Sequence, residues 1–282
     1  MDEDLDSLVD VIARSGIRYI ADTLAADVSM TDSIYWGNGW SWDDVPASFQ
    51  PYLSPLMLNR GCVDVTVIPA QKDSLPQVIC VPASDYYQVD NDGVSHNPQA
   101  GRLQITRNWL HNGNRIHISG NVAKETTRTL SIYNSKEFFF QTFVQRLKEK
   151  GIEAKNTAYA DCPESDSLTV VSTLFTLKRP IDEVLKQMMK ESDNLYAESM
   201  FFQIAASQGG RPAKAIHARQ LVKKELSKAG VTNIQYRIAD GSGLSLYNYI
   251  TPELMVKLLT YAYRHPSIYS HLAPSLPISG QD

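Results

Sequence analysis

The sequence predicts a multidomain α+β protein, with a β-rich first part followed by a helical last third. Residues 63–124 contain short runs in which apolar and polar residues alternate, separated by Pro, Asn, Asp and Gly, as in strands joined by turns. From Pro180 onward, apolar residues instead recur at helical spacing. The chain has 282 residues. A single core seldom grows beyond about 250 residues, so two or three domains are expected.

The chain opens with a predicted amphipathic helix that ends near Ser15. Gly16 stands where the C-terminus of a helix favours a left-handed residue. The apolar positions with helical spacing are Leu5, Leu8, Val9 and Ile12.

Residues 36–44 combine two glycines with three tryptophans and predict an irregular loop. We expect this loop to be packed, with its indoles covering the edge of a core. An exposed aromatic cluster that binds sugar rings is the alternative.

A half-buried strand is predicted where Val63, Val65 and Val67 alternate with polar residues. A small all-β unit follows. Its alternating runs cover residues 78–81, 103–106 and 115–119.

The pattern then predicts a helix, one more strand and a helical layer. The helix begins beyond Ser135 and ends before Gly151, and the strand covers residues 168–177. Pro180 and Thr251 stand at predicted helix starts. The helices of the layer are predicted over residues 181–189, 195–206, 213–229 and 252–264.

The cysteines and histidines predict no metal site. Cys62, Cys80 and Cys162 are far apart and lack metal-ligand or redox spacing, so free thiols are expected, with one disulfide as the alternative. His111 and His117 lie six residues apart without a third ligand and are interpreted as surface or packed side chains.

Composition and charge argue against several classes of protein. A hydrophobic fraction of 43% and a charged fraction of 21% are ordinary for a globular protein. The net charge of −4 argues against a nucleic-acid partner. No apolar run approaches the about 18 to 20 residues that span a bilayer, and the acidic first residues do not resemble a signal peptide.

The tripeptide Ser192-Asp193-Asn194 is the first candidate for chemistry, because it lies between two predicted helices. At such a junction an amide can donate to a substrate carbonyl and a hydroxyl can relay protons. The alternative is that Ser192 or Asp193 only caps the following helix. A glycine-rich turn at residues 240–245 could border the same cleft.

Several segments together resemble the D-alanyl-D-alanine carboxypeptidases of the penicillin-binding protein 4 type, peptidase family S13. Of these segments, the Asp-Gly-Ser-Gly-Leu-Ser sequence is the most specific. The segments are Gly39–Asp44, Tyr133–Phe139, Met188–Glu198, Ala239–Ser245 with Asn248, and Ser275–Gly280.

The resemblance implies a serine acyl-transfer mechanism that needs no metal or organic cofactor. It assigns proton relay to Ser192, amide donation to the substrate backbone to Asn194, and a positioning role to Asp193. The cleft-lining residues that it implies are Asp193, Asp240, Gly241, Ser242 and Gly243.

The same family requires a Ser-x-x-Lys nucleophile motif and a Lys-Thr-Gly motif, and neither occurs in this sequence. The sequence is therefore interpreted as the middle part of a longer protein and is expected not to turn over substrate alone. A non-catalytic cell-envelope binding module is the main alternative. A β-lactamase-like hydrolase of small esters ranks last.

For the whole protein, the resemblance implies a periplasmic or cell-envelope enzyme that acts on peptidoglycan stem peptides and is acylated by β-lactams. Cleavage of cross-links by an endopeptidase activity is left open. The implied domains are an accessory α/β domain (1–69 and 125–175), an all-β subdomain (70–124) and a partial β-lactamase-like transpeptidase domain (176–282).

Overall fold

The computed structural model describes residues 2–160, 172–208 and 211–281. These residues form two compact units. The first unit comprises residues 2–28, 42–160 and 172–175, and the second comprises residues 29–41, 176–208 and 211–281.

The first unit is a mixed α/β structure. Its described elements are α1 (Asp2–Arg14), β1 (Tyr19–Asp27), β2 (Cys62–Ile68), β3 (Gln77–Val81), β4 (Gln88–Ser95), β5 (Gln104–Arg107), β6 (Arg115–Val122), β7 (Thr126–Ser131), α2 (Ser135–Glu149) and β8 (Glu153–Ala160).

The strands of this unit form three small sheets. Strands β1 and β8 pair in parallel, β2 lies between antiparallel β3 and β7, and β6 lies between parallel β4 and antiparallel β5. The alternation predicted for β2 is confirmed, because Val63, Val65 and Val67 are fully buried whereas Asp64 and Thr66 are half-buried. Alternation in a strand puts successive side chains on opposite faces, so the valines face the core.

Helices α1 and α2 close this core. Leu5 of α1, and Phe138 and Leu147 of α2, belong to one buried cluster that also contains side chains of all three sheets. Both helices end as predicted, with Gly16 and Gly151 in the left-handed region. The separation of residues 70–124 as a subdomain stays a prediction.

The second unit is helical in its described part. Its helices are α3 (Ile181–Lys190), α4 (Asn194–Ala206), α5 (Ala215–Lys228), α6 (Pro252–Arg264) and α7 (Pro266–Leu272). The first four were predicted from periodicity and are confirmed. Thr251 caps α6 as expected, since its hydroxyl accepts from the Leu254 N–H at 3.2 Å and Pro252 occupies the first turn.

The described residues of the second unit form small buried clusters around Phe201 and around Leu226. One face of α6 remains open to solvent. On it Val256, Leu259 and Tyr263 are 62%, 46% and 68% exposed, at spacings of three and four residues. This helix therefore presents an uncovered apolar stripe.

The strand predicted for residues 168–177 is wrong for its described part. Residues 172–177 have no regular structure, and Leu174 and Leu177 are about half exposed. A strand requires a neighbour to pair with its backbone, and no described strand pairs with these residues. The rest of the predicted strand lies outside the described residues.

The expectation that the indoles of residues 36–44 cover a core is wrong for Trp42, whereas Trp40 is half-buried. Trp42 is 70% exposed and Trp36 is 36% exposed. The Trp40 N–H reaches a buried carboxylate, that of Asp240, at 2.8 Å. Trp42 instead lies against Trp109, with ring centroids 5.6 Å apart. The hydrogen bond to Asp240 satisfies the indole N–H of the half-buried Trp40.

No disulfide joins Cys62 to Cys80, and Cys162 lies outside the described residues, so the state of the three thiols stays a prediction. His111 is exposed, and His117 lies 3.3 Å from a carboxylate oxygen of Asp90. No group of three metal-ligating side chains occurs among the residues that the structure describes. None of the described helices combines the length and the apolar character that crossing a bilayer requires.

Candidate active site

The junction between α3 and α4 holds Ser192 in an unusual backbone conformation. Its φ is +53°, and the N–H of Asp193 donates to the carbonyl of Met188 at 3.2 Å, so Ser192 takes the left-handed position of a helix C-terminal motif. Glycine usually fills this position, and another residue costs about 1 kcal/mol there. Ser192 is also exposed to solvent. Residues with a backbone conformation of this kind occur often at functional sites.

Asp193 holds the junction together. One of its carboxylate oxygens accepts from the N–H of Tyr196 at 3.2 Å, which caps α4. The other accepts from the side-chain amide of Gln187 at 3.3 Å, which ties α4 to α3. This carboxylate therefore positions its two neighbours, Ser192 and Asn194.

The glycine-rich turn, residues 240–245, is organised around the buried carboxylate of Asp240, which is 5% exposed. One of its oxygens accepts from the Gly243 N–H at 2.9 Å and from the Asn248 amide at 2.7 Å. The other accepts from the Ser245 N–H at 2.7 Å and from the Trp40 indole at 2.8 Å. Four donors on one carboxylate make the turn rigid.

The Trp40 loop is anchored on the same turn. Besides the indole bond to Asp240, the hydroxyl of Ser245 donates to the carbonyl of Asn38 at 2.6 Å. A Cβ added at Gly39 would lie 2.5 Å from the ring of Tyr247, so the loop backbone approaches the turn too closely for any larger residue.

Glu198 fixes the turn to α4. Its Oε1 accepts from the N–H groups of Gly241 at 3.0 Å and Ser242 at 2.8 Å. A Cβ at Gly241 would lie 2.6 Å from Phe201 Cβ and 2.7 Å from the Ala197 carbonyl oxygen. Only glycine permits this approach of the turn to the helix.

Asn194 lies one helical turn before Glu198. Residues four positions apart share a helix face and are separated by about 6 Å along the axis. Its position on α4 is therefore on the side of the helix that carries Glu198, and it is half-buried. Of the predicted site residues, Gly241 and Ser242 are docked on α4 through Glu198, Asn194 is the first residue of that helix, and Ser192 lies in the connection between α3 and α4.

Burial raises the pKa of Glu198 to about 7, and the negative charge of Asp240 adds to the increase. Hydrogen bonds from Ser242 and Gly241 act in the opposite direction. Near neutral pH this carboxyl is therefore divided between its protonated and ionised forms.

Reasoning from the sequence missed Glu198. A signal was available, because Glu198 is the lone charged residue of an otherwise largely apolar helix and stands four residues after Asn194. Its acceptor role could not be predicted, since its two donors lie more than forty residues further along the chain.

The model of the D-Ala-D-Ala carboxypeptidase 3 (S13) family matches residues 1–282. The chain belongs to this family. The resemblance stated from the Ser-Asp-Asn and Asp-Gly-Ser-Gly-Leu-Ser segments is thereby confirmed.

Two named relatives are D-alanyl-D-alanine carboxypeptidases. DacB of Haemophilus influenzae is 28% identical over 283 residues, which cover 99% of this chain and 58% of the relative. The enzyme of Actinomadura sp. is 27% identical over 290 residues, which cover 99% of this chain and 53% of the relative. The chain thus spans a little more than half the length of these relatives.

Two crystal structures share the fold. Penicillin-binding protein 4 (dacB) of Haemophilus influenzae superposes with a TM-score of 0.79 at 27% identity, covering 100% of this chain and 62% of that chain. Its complex with a β-lactam superposes with a TM-score of 0.70 at 24% identity. The predicted α+β class is confirmed by this likeness.

Proposed function

We propose that the whole protein is a serine-type D-Ala-D-Ala carboxypeptidase that acts on peptidoglycan stem peptides through an acyl-enzyme and is acylated by penicillin. The observation that carries the proposal is the docking of the Gly241 and Ser242 N–H groups on Glu198, one helical turn from Asn194. This docking supports a shared role for the glycine-rich turn and the Ser-Asp-Asn segment.

Each residue then has a role. Asn194 donates its side-chain amide to the substrate backbone. Ser192, exposed and held in a strained conformation, relays protons between groups supplied by other parts of the whole protein. Asp193 positions both, while Asp240 keeps the turn in shape beside the cleft that Gly241, Ser242 and Gly243 border. The nucleophilic serine is not part of this sequence.

Other features support a larger catalytic domain. The uncovered apolar stripe of α6 is unfavourable in water, which supports its being packed against further structure. A D-alanine-terminated substrate occurs in the bacterial cell wall, so the proposed site of action is the periplasm or cell envelope. An accompanying endopeptidase activity on cross-links belongs to the same chemistry.

Labelling with a fluorescent penicillin tests this proposal. We expect no covalent label on the chain of 282 residues, because it contains no Ser-x-x-Lys sequence. The protein expressed with its flanking coding sequence is expected to label once, at the serine of such a motif. Covalent labelling of the shorter chain, or none of the longer protein, would contradict the proposal.

A second candidate function is a non-catalytic envelope module that binds glycan. The exposed Trp42, lying against Trp109, favours it, because aromatic faces open to solvent bind sugar rings. Flanking coding sequence distinguishes the two candidates. Ser-x-x-Lys upstream and Lys-Thr-Gly downstream, in frame, support the enzyme, whereas native start and stop codons at the present ends support the module.

A further inference from the structure

The contact between α4 and the glycine-rich turn depends on one carboxylate oxygen. Glu198 is 2% exposed, and its Oε1 accepts from the N–H groups of Gly241 at 3.0 Å and Ser242 at 2.8 Å. These three residues and Asn194 all belong to the second unit. Any change in the strength of the two hydrogen bonds therefore changes how firmly the turn is held on the helix.

The turn itself is held as one rigid piece. Four donors fix it around the carboxylate of Asp240, and the hydroxyl of Ser245 donates to the carbonyl of Asn38 at 2.6 Å. Its place on α4 is set by the bonds to Glu198 and by the close approach of Gly241 to the helix. A displacement at Glu198 therefore moves the whole turn.

On the helix side, Asn194 precedes Glu198 by one turn of α4. An α-helix is stiff over one turn because its backbone hydrogen bonds join residues four apart, so these two positions keep a fixed relation. The bonds from Glu198 to the turn thereby set the position of the proposed amide donor, Asn194, relative to the turn that borders the proposed cleft.

The strength of these bonds depends on the charge of Glu198. Burial raises the pKa of this carboxyl to about 7, while the hydrogen bonds from Ser242 and Gly241 lower the pKa. A hydrogen bond that lowers a pKa is by linkage stronger to the ionised form. Bonds to an ionised acceptor are roughly twice as strong as neutral ones. The turn is therefore held more firmly once Glu198 is ionised, although burying the charge makes the unit as a whole less stable.

The charged groups near Glu198 come from the neighbouring elements. Asp240 on the turn acts on Glu198 through its negative charge. At the α3–α4 junction Asp193 is occupied by its own hydrogen bonds, and Arg219 of α5 donates to the carbonyl of Ala239 at 3.1 Å. Helix α4 carries no other charged side chain. Glu198 is thus the titrating group of α4 itself.

We propose that Glu198 is a positioning residue of the acyl-transfer site, and that loss of its proton tightens the turn on α4 and speeds acylation. The inference rests on the proposed function and adds a regulation by pH to that site. Glu198 does not contact the substrate in this role. It acts through the backbone of Gly241 and Ser242 and through the helix that carries Asn194.

The test compares acylation of the whole protein and of its Glu198→Gln variant between pH 5.5 and 8.5. Rate constants are measured at saturating β-lactam, so that differences in binding do not enter. Glutamine offers a neutral acceptor at every pH. We expect equal rates at pH 5.5 and a rate about three- to tenfold lower for the variant at pH 8.5, since only the ionised carboxylate makes charge-assisted bonds.

The ratio of the two rates removes the effect of every other titrating group. Glu183→Gln, at an exposed position on α3, is the control and should react at the unaltered rate throughout. A ratio that does not change with pH would overturn the role of Glu198 and leave the proposed acyl transfer intact. Absence of acylation in the unaltered protein would overturn both.

The NMR signal of the Gly241 amide proton tests the same contact without acylation. In the unaltered whole protein we expect this signal to move downfield with a midpoint near pH 7, as the acceptor becomes ionised. In Glu198→Gln the signal should stay in place. The unaltered protein alone decides this measurement, even if the variant does not fold. A Gly241 signal that does not move between pH 5.5 and 8.5 would contradict the inference.

Discussion

Replacing Asp240 by alanine is expected to destabilise the glycine-rich turn by about 3 to 5 kcal/mol, because a buried acceptor of charge-assisted hydrogen bonds is lost. The carboxylate is 5% exposed and accepts from four donors, two of them backbone N–H groups. Without it, the Trp40 indole and the Asn248 amide also lose their acceptor. Each buried donor left unpaired costs about 1 to 3 kcal/mol.

Native-state hydrogen exchange of the peptide spanning residues 236–250 measures this loss without assuming that the two units unfold together. Asp43→Ala, at an exposed carboxylate, is the control and is expected to change stability by less than about 0.5 kcal/mol. The role given to Asp240 is wrong if the amide protons of this peptide exchange as slowly in the alanine variant as in the unaltered chain.

Glu198 is expected to make the stability of the second unit fall as the pH rises from about 4.5 to about 7. Its pKa is about 7 in the folded chain against 4.5 without burial, so the folded state binds the proton more tightly than the unfolded state. Stability from this group is therefore complete below pH 4.5 and declines until pH 7. The difference corresponds to roughly 3 kcal/mol at most.

Measuring the stability of the second unit between pH 4.5 and 8, in the unaltered chain and in Glu198→Gln, isolates this effect. Glutamine keeps an oxygen for the Gly241 and Ser242 N–H groups but does not titrate, so the decline should disappear. Glu183→Gln, an exposed position on α3, should leave it unchanged. Parallel pH profiles for the unaltered chain and Glu198→Gln would show that this carboxyl does not titrate as described.

Periodicity predicted those elements whose burial follows from local pattern. Helices α1, α2 and α6 carry apolar residues at helical spacing and end or begin at Gly or Pro, and β2 alternates strictly. Each of these elements has one face against a core and the other in solvent, so the spacing of its apolar residues indicates which side chains are buried.

Strands β1 and β8 could not be predicted from periodicity. Strands β1 and β8 pair in parallel although more than 120 residues separate them, and most of their side chains are not buried. Residues 172–177 show the converse, because their apolar composition favours a strand but no described strand pairs with them. In both cases a strand forms only where another strand is available to pair with it, and the amino-acid composition of a segment does not show whether one is.

The candidate site also contains residues that the sequence predicted and residues that it did not. Ser192, Asn194 and the glycine-rich turn were identified from residue types and from the family resemblance. Glu198 and the indole bond of Trp40 depend on contacts across 43 and 200 positions of the chain. Such contacts arise only after folding, so the sequence could not show which polar groups would be buried together.

The most direct test of the central claim is the rate at which penicillin acylates the whole protein when Asn194 is changed. Asn194→Ala is expected to slow acylation about 10- to 100-fold, because one hydrogen bond to the ligand backbone is lost. Asn233→Ala, at an exposed loop position, should react at the unaltered rate. Equal acylation rates for the unaltered protein and Asn194→Ala would contradict the claim that this helix face belongs to the active site.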